Sequence, residues 1–145
     1  MPRPRTIRLP SALEKDLERE FALRGVREWS TGVVELLNEA VRMRKVPGIG
    51  FADSVTGRRA VLAGTGVEVW EVVAMWRALN ENEEDLRQAY SWLSPGQLRS
   101  ALAYYRLFPD EIDARLDLEE GWTVESIREH LPAASFGPGL QVDRD

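Results

Sequence analysis

The chain has 145 residues, 43% hydrophobic and 30% charged, with a net charge of −5 at pH 7. That length suits one domain or two very small ones, and the apolar content is enough for a packed core. With no cysteine and His130 as its single histidine, the chain excludes disulfides, thiolate metal sites and a histidine pair within one copy.

The charge is unevenly spread. Residues 1–46 carry ten Lys/Arg against seven Asp/Glu, residues 47–109 six against seven, and residues 110–145 three against ten. A basic head and an acidic tail suggest two different partners. No apolar run reaches the ~18 residues of a membrane-spanning helix. The basic start, Met1 to Pro10, lacks the apolar segment of a secretion signal. The expectation is a cytoplasmic protein with no membrane partner.

In chain order, Arg5-Thr6-Ile7-Arg8-Leu9-Pro10 alternates polar and apolar residues, the period of a half-buried strand. Ser11 and Glu14 have the spacing of a capping box, and Leu13, Leu17 and Phe21 share one face of the helix that follows. Gly25 is placed to stop that helix. Ser30 or Thr31 is expected to cap the next one, which carries Val33, Val34, Leu37, Ala40 and Val41 and ends in Arg42, Arg44 and Lys45. Pro47, Gly48 and Gly50 then break the chain, so a first segment is drawn at residues 1–46.

This strand, capped helix, glycine and second helix resemble a ribbon-helix-helix DNA-binding unit. A lone strand has no partner for its backbone groups, so two copies must pair their strands and interlock four helices. Period two then sends Ile7 and Leu9 toward the helices and Thr6 and Arg8 outward. The resemblance implies a two-stranded ribbon in the major groove, with Arg8 pairing to guanine and Thr6 touching a base edge. It also implies phosphate contacts from backbone N–H groups at Ser30 and Thr31, with nonspecific attraction from Arg3 and Arg5. The alternative at this point is a helical arm that serves dimerisation only. The link Val26-Arg27-Glu28-Trp29 is longer and bulkier than such units usually have.

The second segment, residues 47–116, opens with a hairpin turning at Val55-Thr56-Gly57, and Gly64-Thr65-Gly66 makes a second turn. A helix follows with Val69, Val72, Val73 and Trp76 on one face. Asn80 to Glu83 is expected to cap a short helix carrying Leu86, Ala89 and Tyr90. Ser94-Pro95-Gly96-Gln97 is a strong helix start, followed by a buried stripe of Leu98, Ala101, Leu102 and Tyr105. Pro109 ends or restarts that helix, and Asp110 to Leu116 continues as an acidic one.

Arg59-Ala60-Val61-Leu62-Ala63-Gly64-Thr65, Val69-Trp70-Glu71-Val72-Val73, the run Trp92 to Tyr105 and Pro109-Asp110-Glu111-Ile112 resemble, in the same order, the family called domain of unknown function 433, the VapB-type antitoxin-like family. The resemblance implies a short hairpin followed by a trihelical helix-turn-helix core. Members are commonly encoded beside a PIN-like ribonuclease toxin and are taken to neutralise it. The family usually reads Gly-Thr-Arg where this chain has Gly64-Thr65-Gly66, so that arginine's role is lost here or taken over by Arg58 or Arg59.

From Asp117 the chain loses regularity. Thr123 to Leu131 is expected to form one short helix, and Pro132, Gly137, Pro138 and Gly139 a loose tail. This third segment, residues 117–145, reads either as a solvated solubilising tail or as a toxin-binding arm with Trp122 and Phe136 as apolar contacts. Antitoxins of PIN-like nucleases often insert an arginine among the toxin's metal-binding carboxylates; Arg144, Arg128 and Arg115 are the candidates here. Trp29, Trp92 and Trp122, at element ends, read equally as interface contacts or as core edge.

Neither a phosphate loop nor a nucleophile elbow occurs, and Glu83/Glu84 and Glu119/Glu120 are adjacent pairs that point ~100° apart on a helix. The combined expectation is a mainly α, non-enzymatic homodimer without a cofactor. Its N-terminal ribbon-helix-helix is followed by a short hairpin and a helix-turn-helix module. It would act as a type II antitoxin that binds a PIN-like ribonuclease and represses its own operon through operator DNA. A stand-alone transcriptional regulator and a purely structural dimerisation adaptor are the alternatives.

Overall fold

The computed structural model describes residues 3–54 and 57–119. They fall into two compact units, divided between Val41 and Arg42. Among the described residues there are six helices and one two-stranded antiparallel sheet, and no helix is long and apolar enough to cross a membrane.

The first unit holds α1 (Ser11–Arg24) and most of α2 (Trp29–Lys45). Gly25 ends α1 as the sequence suggested: at φ 68° it turns left-handed, and the N–H groups of Gly25 and Val26 return to Ala22 O and Phe21 O at 3.3 and 2.9 Å. The starts of both helices differ from the expectation. Ser11 is the first helical residue of α1, preceded by Pro10, and no side chain caps that end. The bond from Glu14 N–H to the Pro10 carbonyl, 3.0 Å, begins the helix one residue earlier than a Ser11 cap would. Helix α2 starts at Trp29, so Ser30 and Thr31 lie inside its first turn and cap nothing. The first intrahelical bond is Gly32 N–H to Glu28 O at 3.1 Å.

Residues 3–10 form neither helix nor strand in this single copy. A strand needs a second backbone to complete its hydrogen bonds, and one chain offers none here.

The second unit begins at the last turn of α2. Strands β1 (Ile49–Ser54) and β2 (Gly57–Leu62) pair antiparallel in the register Ile49↔Leu62 to Ser54↔Gly57. The Gly64-Thr65-Gly66 turn then reverses the chain, with both glycines at positive φ, 78° and 73°. The Thr65 hydroxyl donates to the Leu62 carbonyl and accepts from Val67 N–H, at 2.8 and 3.0 Å. Helix α3 (Val69–Ala78) is nearly all apolar and central; Val69, Val72 and Val73 have no exposure. Glu68 and Glu71 close a reciprocal capping box at its start. Helix α4 (Glu83–Ala89) is capped by Asn82, whose side chain accepts from Asp85 N–H at 3.0 Å.

Helix α5 (Pro95–Leu107) has the capping box that Ser94 and Gln97 promised. Its buried residues are Leu98, Ala101, Leu102 and Tyr104, so Tyr104 takes the inward place expected of Tyr105. It packs on α3, α6 and both strands. Pro109 restarts the chain as α6 (Pro109–Leu118) rather than ending it. The expected helix at Thr123–Leu131 lies outside the described residues.

Candidate functional site

The first unit buries very little. Among its described hydrophobic residues only Leu17 and Phe21 are fully buried. Gly32 makes their packing possible: a Cβ there would stand 2.9 Å from both Phe21 Cζ and Val26 Cγ1. In contrast, Val34, Leu37 and Val41, spaced three and four apart along α2, are 66%, 56% and 51% exposed. Ile7 is 69% exposed and Leu9 half-buried. Arg3, Arg5, Thr6 and Arg8 are all exposed. So are Ser30 and Thr31, whose first-turn N–H groups precede the helix's own hydrogen-bond ladder.

The second unit carries two arrays that the sequence reading missed, built on the neighbouring tyrosines Tyr104 and Tyr105. The Arg42 guanidinium donates to the Tyr104 hydroxyl at 2.7 Å and to Glu111 Oε1 at 2.9 Å, and Tyr104 donates to Glu111 Oε2. Arg42 also lies 4.4 Å from the centre of the Phe108 ring. In the second array Arg77 donates to the Tyr105 hydroxyl and, at 2.9 Å, to Asp113; Tyr105 donates to the same Asp113 oxygen at 2.7 Å. Burial pushes the Tyr104 phenol upward, and the Glu111 carboxylate adds to that by accepting its hydrogen bond and by its negative charge. Burial alone lowers the Arg42 pKa, but its bond to Tyr104 and the charge of Glu111 more than offset this and raise it. Both arrays tie α6 to earlier elements. The only sequence signal is the Tyr-Tyr pair, because Pro109 interrupts the period that would relate it to Glu111 and Asp113.

Next to Glu111 is a small recess of about 20 Å³, lined by Arg58, Arg59, Trp70, Ile112 and Arg115 as well as Glu111. Arg115 stacks over the Trp70 ring at 5.0 Å and pairs with Glu119 at 2.9 Å. It is therefore part of a built cluster, not a residue of a loose arm. Trp70 is 5% exposed and donates its indole N–H to Glu68 at 2.8 Å.

Residues 49–105 match the family described as Protein of unknown function (DUF433). The DUF433 match runs from the start of β1 to near the end of α5 and leaves out the first unit and α6. No curated protein and no solved structure matches the chain.

Of the other sequence candidates, Trp29 and Trp92 are exposed, and Trp76 is half-buried against the core. Trp122, Arg128, Phe136, Arg144 and His130 lie outside the described residues. Among the described residues no group of His, Asp and Glu is arranged to hold a metal ion.

Proposed function

We propose that this chain is a cytoplasmic antitoxin that acts as a homodimer, binds operator DNA through residues 5–9, and neutralises a PIN-like ribonuclease. The observation that carries the dimer is the first unit's burial. A segment of ~40 residues rarely folds on so small an interior without a second chain. Here, among the described hydrophobic residues, only Leu17 and Phe21 are buried while Ile7, Val34, Leu37 and Val41 face outward. A second copy covers that apolar stripe and supplies the strand partner that residues 5–9 lack.

Paired antiparallel, the two segments turn Ile7 and Leu9 toward the helices and display Thr6 and Arg8 on a ribbon that fits the major groove. In this reading the N–H groups at Ser30 and Thr31 donate to a phosphate, and Arg3 and Arg5 add charge. The toxin-binding half of the proposal rests on the antitoxin-like resemblance of residues 47–116, within which residues 49–105 match DUF433. In this reading α5, packed against α3, α6 and both strands, serves as scaffold for the helix-turn-helix module more than as a groove reader.

Sedimentation should give a dimer, and Arg8→Ala should weaken binding to a duplex from upstream of the gene by ~1–3 kcal/mol. Equal operator affinity before and after that change would remove the ribbon from the proposal. The toxin half is tested by co-purification with the product of the adjacent gene and an RNase assay with and without this chain. An active nuclease in the presence of excess chain would refute it.

A further inference from the structure

The recess beside Glu111 is a concentration of positive charge on an acidic protein. Three arginines from two elements line it, Arg58 and Arg59 from β2 and Arg115 from α6, together with the Glu111 carboxylate. That carboxylate is already engaged: one Glu111 oxygen accepts from Arg42 and the other from Tyr104. Arg42 adjoins the recess through its bond to Glu111, and Lys45 shares the Phe108 ring with it, the two lying 4.4 and 6.0 Å from the ring centre respectively. Asp53 and Glu119 are the flanking acids, paired to Arg58 at 3.3 Å and to Arg115 at 2.9 Å.

The recess is also shaped and stiffened. Its volume of about 20 Å³ admits one oxygen-sized group, the scale of a single water. Stacking on the largely buried Trp70 holds the Arg115 guanidinium in place, so less freedom is lost when it binds. Arg58 is held across the hairpin opposite Asp53. A phosphodiester presents one non-bridging oxygen to such a recess and spreads further negative charge along its strand, toward Arg42 and Lys45.

We propose that the arginine recess formed by Arg58, Arg59 and Arg115 is a second DNA contact, which grips a backbone phosphate without reading sequence. This rests on the DNA-binding reading above but uses a different surface, one that belongs to the central module. It assigns backbone contact to the hairpin and α6 and not to α5.

The test is affinity against salt concentration, for a duplex from upstream of the gene and for an unrelated duplex of equal length. The full chain is compared with R58Q/R59Q, with R58K/R59K and with Arg115→Gln, each checked for folding by thermal melting. Each phosphate contact contributes ~0.9 to the slope of log affinity against log salt. R58Q/R59Q should flatten the slope by about 1 to 2 and weaken both duplexes by the same factor, and R58K/R59K should keep the original slope. Arg115→Gln reads the same site if the double variant does not fold. An unchanged slope in folded glutamine variants overturns the recess while leaving the ribbon intact. A loss confined to one duplex also overturns it, because that is base reading. Unchanged DNA binding with loss of the adjacent gene product assigns the recess to an acidic protein surface instead. If the wild-type chain binds neither duplex, the recess and the DNA reading fall together.

Discussion

At the scale of single residues, Gly32 shows how tightly a small interior can depend on a missing side chain. It lies inside α2, where alanine would ordinarily gain ~1 kcal/mol of helix propensity. A Cβ there would press on Phe21 and Val26 at 2.9 Å, and Phe21 is one of two buried hydrophobic residues among those described in its unit. Overpacking costs ~1–3 kcal/mol and opposes the propensity gain. Gly32→Ala should therefore lower the melting temperature of the α1–α2 unit, with a net loss of up to ~2 kcal/mol. A rise in melting temperature would mean that Phe21 does not sit against this glycine. Nothing in the local pattern marks Gly32 as special; a glycine between Thr31 and Val33 reads as a mild helix defect. Trp70 is a similar case. Its neighbours Val69, Val72 and Val73 mark the helix face, but its stacking with Arg115 spans 45 residues of chain.

At the scale of elements, helix starts separate into two kinds. Where side chain and backbone form a closed local ring, the sequence is readable: Ser94 accepts from Gln97 N–H at 3.1 Å, and Gln97 accepts from Ser94 N–H at 2.8 Å. Ser94→Ala removes the first of these bonds from an exposed end and should cost ~1 kcal/mol, measured by chemical denaturation. No change on substitution would show that the cap adds nothing to a helix already packed on three sides. Where the start is set by other means, the same motif misleads. Ser11 and Glu14 have capping-box spacing, yet Pro10 precedes the helix and its carbonyl takes the first bond. Proline favours a fixed extended-to-helical turn, so the backbone enters the helix before the serine can act as a cap. Residues 5–9 are a third case: their alternation is clear in the sequence, yet they form no strand in a single chain, where no second backbone pairs with them.

At the scale of the whole molecule, the two units are unequal in what holds them. The second contains nearly all of the buried side chains and all three tyrosines, Tyr90, Tyr104 and Tyr105. Each phenol is pushed above its ordinary value of 10.0, burial being the first cause in every case. For Tyr90 the Glu71 charge adds to it, and for Tyr105 the bond to Asp113 does. A raised folded-state pKa means that the folded chain holds these protons longer than the unfolded chain. The stabilisation is complete below pH ~10 and is lost as pH rises above it, because the unfolded tyrosines ionise first. The second unit should hold its stability to about pH 10 and then lose it steeply, followed by melting temperature against pH together with phenolate absorbance. Tyr90→Phe should soften that alkaline loss without harming neutral stability, since its buried hydroxyl has no hydrogen-bond partner. A flat profile through pH 11–12 (~1–2 units above the free phenol value) would show that these phenols titrate as in the unfolded chain.

The sequence by itself determined the mainly helical character, the small hairpin and most of the local stops and starts. Hydrophobic period, Gly25, the hairpin, the Gly64-Thr65-Gly66 turn and the Ser94 and Asn82 caps all act within a few residues, so their physics is written in adjacent letters. Only the tertiary structure decided which charges meet. Arg42 reaches Glu111 across 69 residues, and Arg58, Arg59 and Arg115 share one recess because β2 and α6 pack on the same valine-rich helix. Such contacts depend on how elements are stacked in space, and a one-dimensional pattern carries no record of that stacking.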